Sequence, residues 1–363
     1  MSDIARLNDF GQSPWYDNLA RSLLTGGGLQ GLITNDGIRG VTSNPTIFEK
    51  AMAAGEGYDG QLIACGKEGL SIEDSYWRLV VDDVGNAADL LLPVHEASGG
   101  ADGFVSVEVS PDLAHDTAGT IAQAKGLFER VGRKNVMIKI PATLEGLPAI
   151  EANIAAGINT NVTLIFSLAR HDKVIDAYLA GLEAFVAGGG DPSTVSSVAS
   201  FFVSRVDTET DRRLPEASPL RGQAAVANAR LAYRLFTQRF SGDRWDGLAA
   251  KNARLQRPLW ASTSTKNPAY SPTLYIDELI GRHTVNTLAP ASIEALQRGD
   301  ANLQGDTVTA DLAGADQVMV DLEAGGVDFD DVTLTLERDG VASFASSFHD
   351  ALATLEQRRA TIG

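Results

Sequence analysis

Short apolar runs rich in β-branched residues alternate along this chain with longer segments of helical periodicity. Eight runs read as strands: SPWYDN (13–18), IRGVTSN (38–44), GFVSVEVS (103–110), NVMIKIPA (135–142), INTNVTLIF (158–166), TVSSVASFFVSR (194–205), RPLWASTST (257–265) and HTVNTLA (283–289). Between them, DLAHDTAGTIAQAKGLFERVG (112–132) and SLARHDKVIDAYLAGLEAFVAGGG (167–190) space their apolar residues as helices do, the second closing on a glycine stop. Eight strand-then-helix repeats predict an α/β fold, a (β/α)8 TIM barrel, whereas a doubly wound sheet would show fewer strands and a phosphate loop after the first. GGGLQG (26–31) matches G-x-G-x-x-G, but it follows the helical LARSLL rather than a strand, so it reads as a helix-ending glycine cluster. Extra helices are expected within 45–100, after strand 2, and in the C-terminal tail from Pro290 to Gly363. The whole chain, 1–363, reads as one barrel domain.

Barrels of this type build their sites at the carboxyl ends of the strands. Asp17 ends the first run, Asn44 the second, Glu108 lies late in the third and Lys139 sits in the fourth. Asn161 and Thr163 lie in the fifth run, Ser200 and Arg205 in the sixth, and Ser264 and Lys266 in or just after the seventh. Residues two apart share a strand face, so Glu108 aligns with Ser106 and Ser110 while the valines of VSVEVS point toward the helices. Lys139 aligns with Met137 and Pro141, and Asn161 with Thr163. Each residue also has a structural use: Asn44, before Pro45, can cap a helix, and Lys139 can pair with Glu108. So many polar side chains converging on one barrel end nevertheless point to chemistry, because buried polar groups without a task are costly.

Composition narrows the possibilities. Hydrophobic residues at 44% and charged residues at 21% of 363 fit a soluble protein with a sizeable core. The net charge of −17, from 47 acidic against 30 basic residues, disfavours nucleic acid and anionic membranes as partners. Any phosphate must then be held by a local cation cluster inside a cleft. Cys65 is the single cysteine, so an intrachain disulfide and a thiolate metal cluster are excluded and a reduced, cytoplasmic setting is expected. Cys65 itself reads as a small hydrophobe in a helix. The N-terminus has no signal-like apolar core, and the greasiest stretch, LVVDDVGNAADLLLPV, is broken by Asp82, Asp83 and Asp89, which rules it out as a membrane span.

These residue types suit imine chemistry. A lysine shielded from water and near other cations can supply a neutral amine that attacks a ketone, and the protonated imine then withdraws electrons. Two carboxylates would serve the proton transfers, one during imine formation and one as a carbon–carbon bond breaks. A metal-stabilised enolate is the rival route, but histidines 95, 115, 171, 283 and 349 are scattered without ligand spacing. They read as surface or supporting residues, His115 within a helix, and a mechanism without metal or cofactor is expected.

With these residues in hand, the sequence resembles the transaldolases over nearly its whole length, through GVTSNPTIFEKA (40–51), VSVEVSP (105–111), VMIKIPAT (136–143), NTNVTLIFS (159–167), VASFFVSRVD (198–207) and WASTSTKNP (260–268). The extra helices suggest the longer bacterial branch of this class I, Schiff-base family. The resemblance implies transfer of dihydroxyacetone from sedoheptulose 7-phosphate to glyceraldehyde 3-phosphate, with Lys139 forming the imine. It implies that Asp17 moves the C4 hydroxyl proton and that Glu108, with Thr163 and a water, handles protons in imine formation. Asn44, Asn161 and Ser200 match positions that hold the dihydroxyacetone hydroxyls, and Arg205, Ser264 and Lys266 match those that grip the phosphate. Shorter relatives usually carry arginine where Lys266 stands; lysine, a point charge rather than a fork, implies looser phosphate geometry. Phe202 matches the transferring enzymes, whereas the related fructose 6-phosphate aldolases tend to have tyrosine there. Those aldolases are the alternative activity, and a barrel that binds sugar phosphates without turnover is a further one. Asp36, in the turn-like TNDG, is the rival to Asp17. Sugar phosphates are the expected partners, and the protein is expected as a monomer or homodimer.

Overall fold

A computed structural model describes residues 2–362. The eight runs form β1 (Gln12–Tyr16), β2 (Gly40–Thr42), β3 (Phe104–Glu108), β4 (Val136–Pro141), β5 (Thr160–Ile165), β6 (Ser197–Phe202), β7 (Gln256–Ala261) and β8 (Thr284–Leu288). They pair in parallel in chain order, and β8 pairs back onto β1 to close the barrel. Closure leaves no sheet edge, and the strands are buried on both faces, which is why they read as nearly continuous apolar runs. Inside, Trp15 of β1 lies opposite Gly40 of β2. A Cβ at position 40 would stand 2.4 Å from the indole, so only glycine lets the ring fill that layer.

Helix α1 (Asp3–Asp9) precedes the barrel, and α2 (Arg21–Thr25) and α3 (Gly28–Asp36) join β1 to β2. The expected insertion after β2 is α4 (Pro45–Ala54), α5 (Asp59–Lys67) and the 26-residue α6 (Ile72–Ala97). Helices α7 (Thr117–Val131), α8 (Gly146–Ala155) and α9 (Leu168–Ala187) follow β3, β4 and β5. Helices α10 (Ser204–Arg213), α11 (Ala224–Arg239) and α12 (Asp243–Ala249) separate β6 from β7, and α13 (Leu274–Asp277) lies before β8. The tail forms α14 (Pro290–Arg298), α15 (Leu312–Ala324) and α16 (Phe329–Ile362). Side-chain caps start several of these where the chain leaves a strand or loop: Asn44 bonds the N–H of Ile47, Asp116 that of Gly119 and Ser167 that of Arg170.

Helix α16, 34 residues long, is tied across the carboxyl end of the barrel. Arg170 pairs with Glu337 at 3.1 Å, Arg213 with Asp331 at 2.7 Å, Thr46 shares a hydroxyl hydrogen bond with Ser347 at 2.7 Å, and Arg358 pairs with Asp59. Gly340 lets the helix settle onto Leu164, whose Cδ2 a Cβ there would meet at 2.8 Å. Among the described residues no helix is long and apolar enough to cross a membrane.

Several local expectations need correction. The sixth run does not stay a strand through Arg205: β6 stops at Phe202 and Arg205 is in the first turn of α10. The glycine cluster ends α2 at Gly26 and also opens α3 after the left-handed Gly27. Asp36 is the last residue of α3 rather than a turn residue. His115 lies in an exposed turn beside Glu145 instead of in a helix, because α7 begins only after the Asp116 cap. His171 is a core residue of α9 packed on Phe201, where burial drops its imidazole to about 4.

Candidate active site

The strand register assembles the centre of the site. Glu108 of β3 lies opposite Lys139 of β4, and Lys139 lies opposite Asn161 of β5, so the three stand in a row across adjacent strands. Lys139 is 5% exposed and Glu108 6%, and Nζ lies 3.1 Å from Oε2 of Glu108. Nζ also donates to the Ser43 carbonyl at 3.2 Å and sits 5.6 Å from the centre of the Phe344 ring on α16. The ammonium in an apolar strand is thus satisfied by a carboxylate, a carbonyl and an aromatic face. Burial pushes the Glu108 carboxyl above the usual carboxylate range, against the pull of Lys139.

A cleft of about 580 Å³ opens above this row, a size suited to a small ligand. Asp17, Asn44, Lys139, Thr163, Ser200, Phe202, Arg205, Ser264 and Lys266 all line it, whereas Glu108 and Asn161 do not. Glu108 borders a separate cavity of about 10 Å³ with Asn44 and Tyr76, room for about one water. Asn161 is fully buried, donating to Ser106 Oγ at 3.0 Å and accepting from Ser200 Oγ at 2.7 Å, so it holds Ser200 rather than facing the cleft. Thr163 lies at an irregularity of β5, where Leu164 takes a left-handed φ of 58°, and its buried hydroxyl has no protein partner among the described residues.

Around the rim, Asp17 follows β1 and accepts a 2.7 Å bond from the Thr42 hydroxyl. Asn44 serves both readings at once: its side-chain Oδ1 accepts from the Ile47 N–H at 3.0 Å, capping α4, and the same side chain lines the cleft. The Arg205 guanidinium is sandwiched between Phe202, at 5.2 Å, and Phe344, at 5.9 Å. Lys266 donates to Ser264 Oγ at 2.8 Å, and desolvation with the nearby Arg205 charge lowers its ammonium below the ordinary value. Arg205, Lys266 and Lys50 give this end of the cleft a positive cluster within a protein of net charge −17. Among the described residues no three His, Cys, Asp or Glu side chains converge as metal ligands.

Sequence reading missed Thr42, Ser43, Lys50 and Phe344. The first three fall inside the quoted motif 40–51 and could have been flagged as neighbours of Asn44. Phe344 carried no signal, being one apolar residue in a helix of unremarkable periodicity.

Comparison with known proteins extends over the same residues. The family model for Transaldolase/Fructose-6-phosphate aldolase matches residues 14–355. Transaldolase 1 of Streptomyces avermitilis is 49% identical over 358 residues, 97% of this chain and 94% of that protein. The transaldolase of Saccharopolyspora erythraea is 48% identical over 98% of both chains, and that of Thermobifida fusca 49% identical over 99% of both. A closed eight-stranded barrel with a buried strand lysine, matched from its first strand into its last helix, makes this chain a member of the transaldolase/fructose-6-phosphate aldolase family.

Proposed function

We propose that the protein is a transaldolase, a transferase of the pentose phosphate pathway that moves dihydroxyacetone from sedoheptulose 7-phosphate to glyceraldehyde 3-phosphate, giving erythrose 4-phosphate and fructose 6-phosphate. The observation that carries this reading is Lys139, buried on the floor of a cleft whose rim holds Asp17, Arg205 and Lys266, and paired at 3.1 Å with Glu108, which lies outside that cleft. Lys139 attacks the ketose carbonyl C2. Glu108, which burial makes a readier proton holder than an ordinary carboxylate, takes the proton lost by the amine and returns one as water leaves the carbinolamine. Thr163 orients the water of that exchange. The protonated imine then accepts the electrons of the C3–C4 bond while Asp17 removes the C4 hydroxyl proton, and the enamine left on Lys139 attacks the acceptor aldehyde. Asn44 and Ser200, the latter steadied by Asn161, hold the hydroxyls of the three-carbon unit, and Arg205, Ser264 and Lys266 hold the phosphate. The chain acts as one barrel domain in the cytoplasm, as a monomer or homodimer.

Phe202 favours transfer over aldol cleavage. Its ring packs on Phe166 at 5.1 Å and lies under Arg205, and it offers no hydroxyl to guide water onto the enamine. Release of glyceraldehyde 3-phosphate from fructose 6-phosphate tests this directly. Sustained release is expected only with erythrose 4-phosphate present; sustained release without an acceptor would make the enzyme an aldolase. No covalent adduct on borohydride reduction with fructose 6-phosphate would leave only a sugar-phosphate binder.

Lys266 is expected to contribute less than Arg205 to phosphate binding, because a point charge fits a phosphate less closely than a fork. Lys266→Ala should raise the Michaelis constant for fructose 6-phosphate roughly tenfold with little change in kcat, and Arg205→Ala should raise it more. An unchanged constant in Lys266→Ala would remove Lys266 from the site.

A further inference from the structure

The two halves of the phosphate grip come from different elements: Arg205 from α10, Ser264 and Lys266 from the loop between β7 and α13. Two buried aspartates of α10, one turn apart, face the loop and the helix α13 that ends it. Asp207 accepts from the Tyr275 hydroxyl at 2.8 Å, and Asp211 accepts from the Tyr270 hydroxyl at 2.5 Å. Their second oxygens accept the backbone N–H groups of Ala225 at 2.8 Å and Gly222 at 2.9 Å, which ties the same carboxylates to the start of α11. At the near end of the loop, the Ser204 N–H donates to the Ser262 carbonyl at 3.0 Å and the two hydroxyls lie 2.9 Å apart. Ser264 and Lys266 therefore sit on a span fastened to the Arg205 helix on both sides. Gly222 completes the arrangement, since a Cβ there would meet the Tyr270 ring at 2.7 Å and its φ of 74° suits glycine.

Two buried carboxylates are a poor choice for merely packing a loop, because their desolvation is costly unless the hydrogen bonds are needed. Burial raises the Asp207 carboxyl to about 6, which leaves it ionised at neutral pH and able to accept both bonds. Hydrogen bonds to an ionised acceptor are short, strong and directional, and so fix position better than apolar contact does.

We infer that Asp207 and Asp211, through Tyr275 and Tyr270, are positioning residues that hold Ser264 and Lys266 at the distance from Arg205 that a phosphate monoester requires. This rests on the phosphate reading of those three residues. Lysine at position 266 makes the clamp more important, since a flexible point charge gains its geometry only from the backbone that presents it.

Tyr270→Phe is the variant of choice, because Tyr270 is only half-buried and keeps its ring. With D-glyceraldehyde as acceptor, so that only the donor carries phosphate, the Michaelis constant for fructose 6-phosphate should rise about tenfold with kcat little changed. Competitive inhibition by inorganic phosphate should weaken by a similar factor. The concentration of dihydroxyacetone needed for borohydride inactivation, which requires the imine site but no phosphate, should not move. Asp211→Asn keeps an acceptor oxygen and should show a smaller rise. Unchanged phosphate inhibition in Tyr270→Phe, or loss of dihydroxyacetone trapping in parallel with phosphate binding, would overturn the clamp. If inorganic phosphate does not compete in the unaltered enzyme, or competes equally after Arg205→Ala, the phosphate reading fails first and the clamp falls with it.

Discussion

Lys139→Met is expected to abolish turnover, by on the order of 10⁴-fold or more, and to eliminate the adduct that borohydride traps with fructose 6-phosphate. Methionine preserves most of the side-chain length beside Phe344, but it has no nucleophile, and among the described residues no other amine pairs with Glu108 to replace it. Removing one member of a buried ion pair commonly costs about 3–5 kcal/mol because the remaining charge is stranded. Here the loss of stability should fall below that range, since Glu108 already has a carboxyl pushed upward by burial and can take a proton once Lys139 is gone. A thermal melt separates the two effects: a folded variant without turnover supports the imine role. A folded Lys139→Met enzyme that still transfers the three-carbon unit, or that still carries a trapped adduct elsewhere, would end it.

Asp17→Asn is expected to lower turnover by roughly 10²–10⁴-fold while leaving imine formation intact. The amide oxygen of asparagine can still accept from the Thr42 hydroxyl, which now lies 2.7 Å from Asp17, so the local geometry is preserved. What disappears is the base that removes the C4 hydroxyl proton. Borohydride should therefore trap the whole six-carbon sugar phosphate on Lys139 instead of the three-carbon unit, a difference that mass spectrometry of the adduct resolves. Asp36→Asn should leave both rate and adduct unchanged, because Asp36 ends α3 away from the cleft and bonds Gln297 at 3.1 Å. Loss of turnover in Asp36→Asn alone would reverse the assignment of the base.

The order of strands and helices was legible because each strand, buried on both faces, concentrates apolar and β-branched residues locally, and each helix repeats its apolar positions over several turns. Lys139, Glu108 and Asn161 stood out for the same reason, as polar residues interrupting such runs. Boundaries were less legible. Only Val203 and Ser204 separate Phe202, the last residue of β6, from Arg205, with no glycine or proline between them to mark where the strand ends and α10 begins.

Residue chemistry and local period were sufficient to predict the barrel, its extra helices and a polar Lys139 and Glu108 inside apolar strands, since both signals lie within a few residues of one another along the chain. Tertiary structure alone decided which of those residues meet. Closure and register set Glu108 beside Lys139, turned Asn161 behind Ser200, and brought Thr42 to Asp17. The fold also laid α16 over the mouth, so that Phe344 faces both Lys139 and Arg205, and joined Asp207 to Tyr275 of α13 and Asp211 to Tyr270 of the loop before it. Such contacts join segments far apart in sequence, and they are selected by the packing of the closed barrel, for which no local pattern of hydrophobic and polar residues carries a sign.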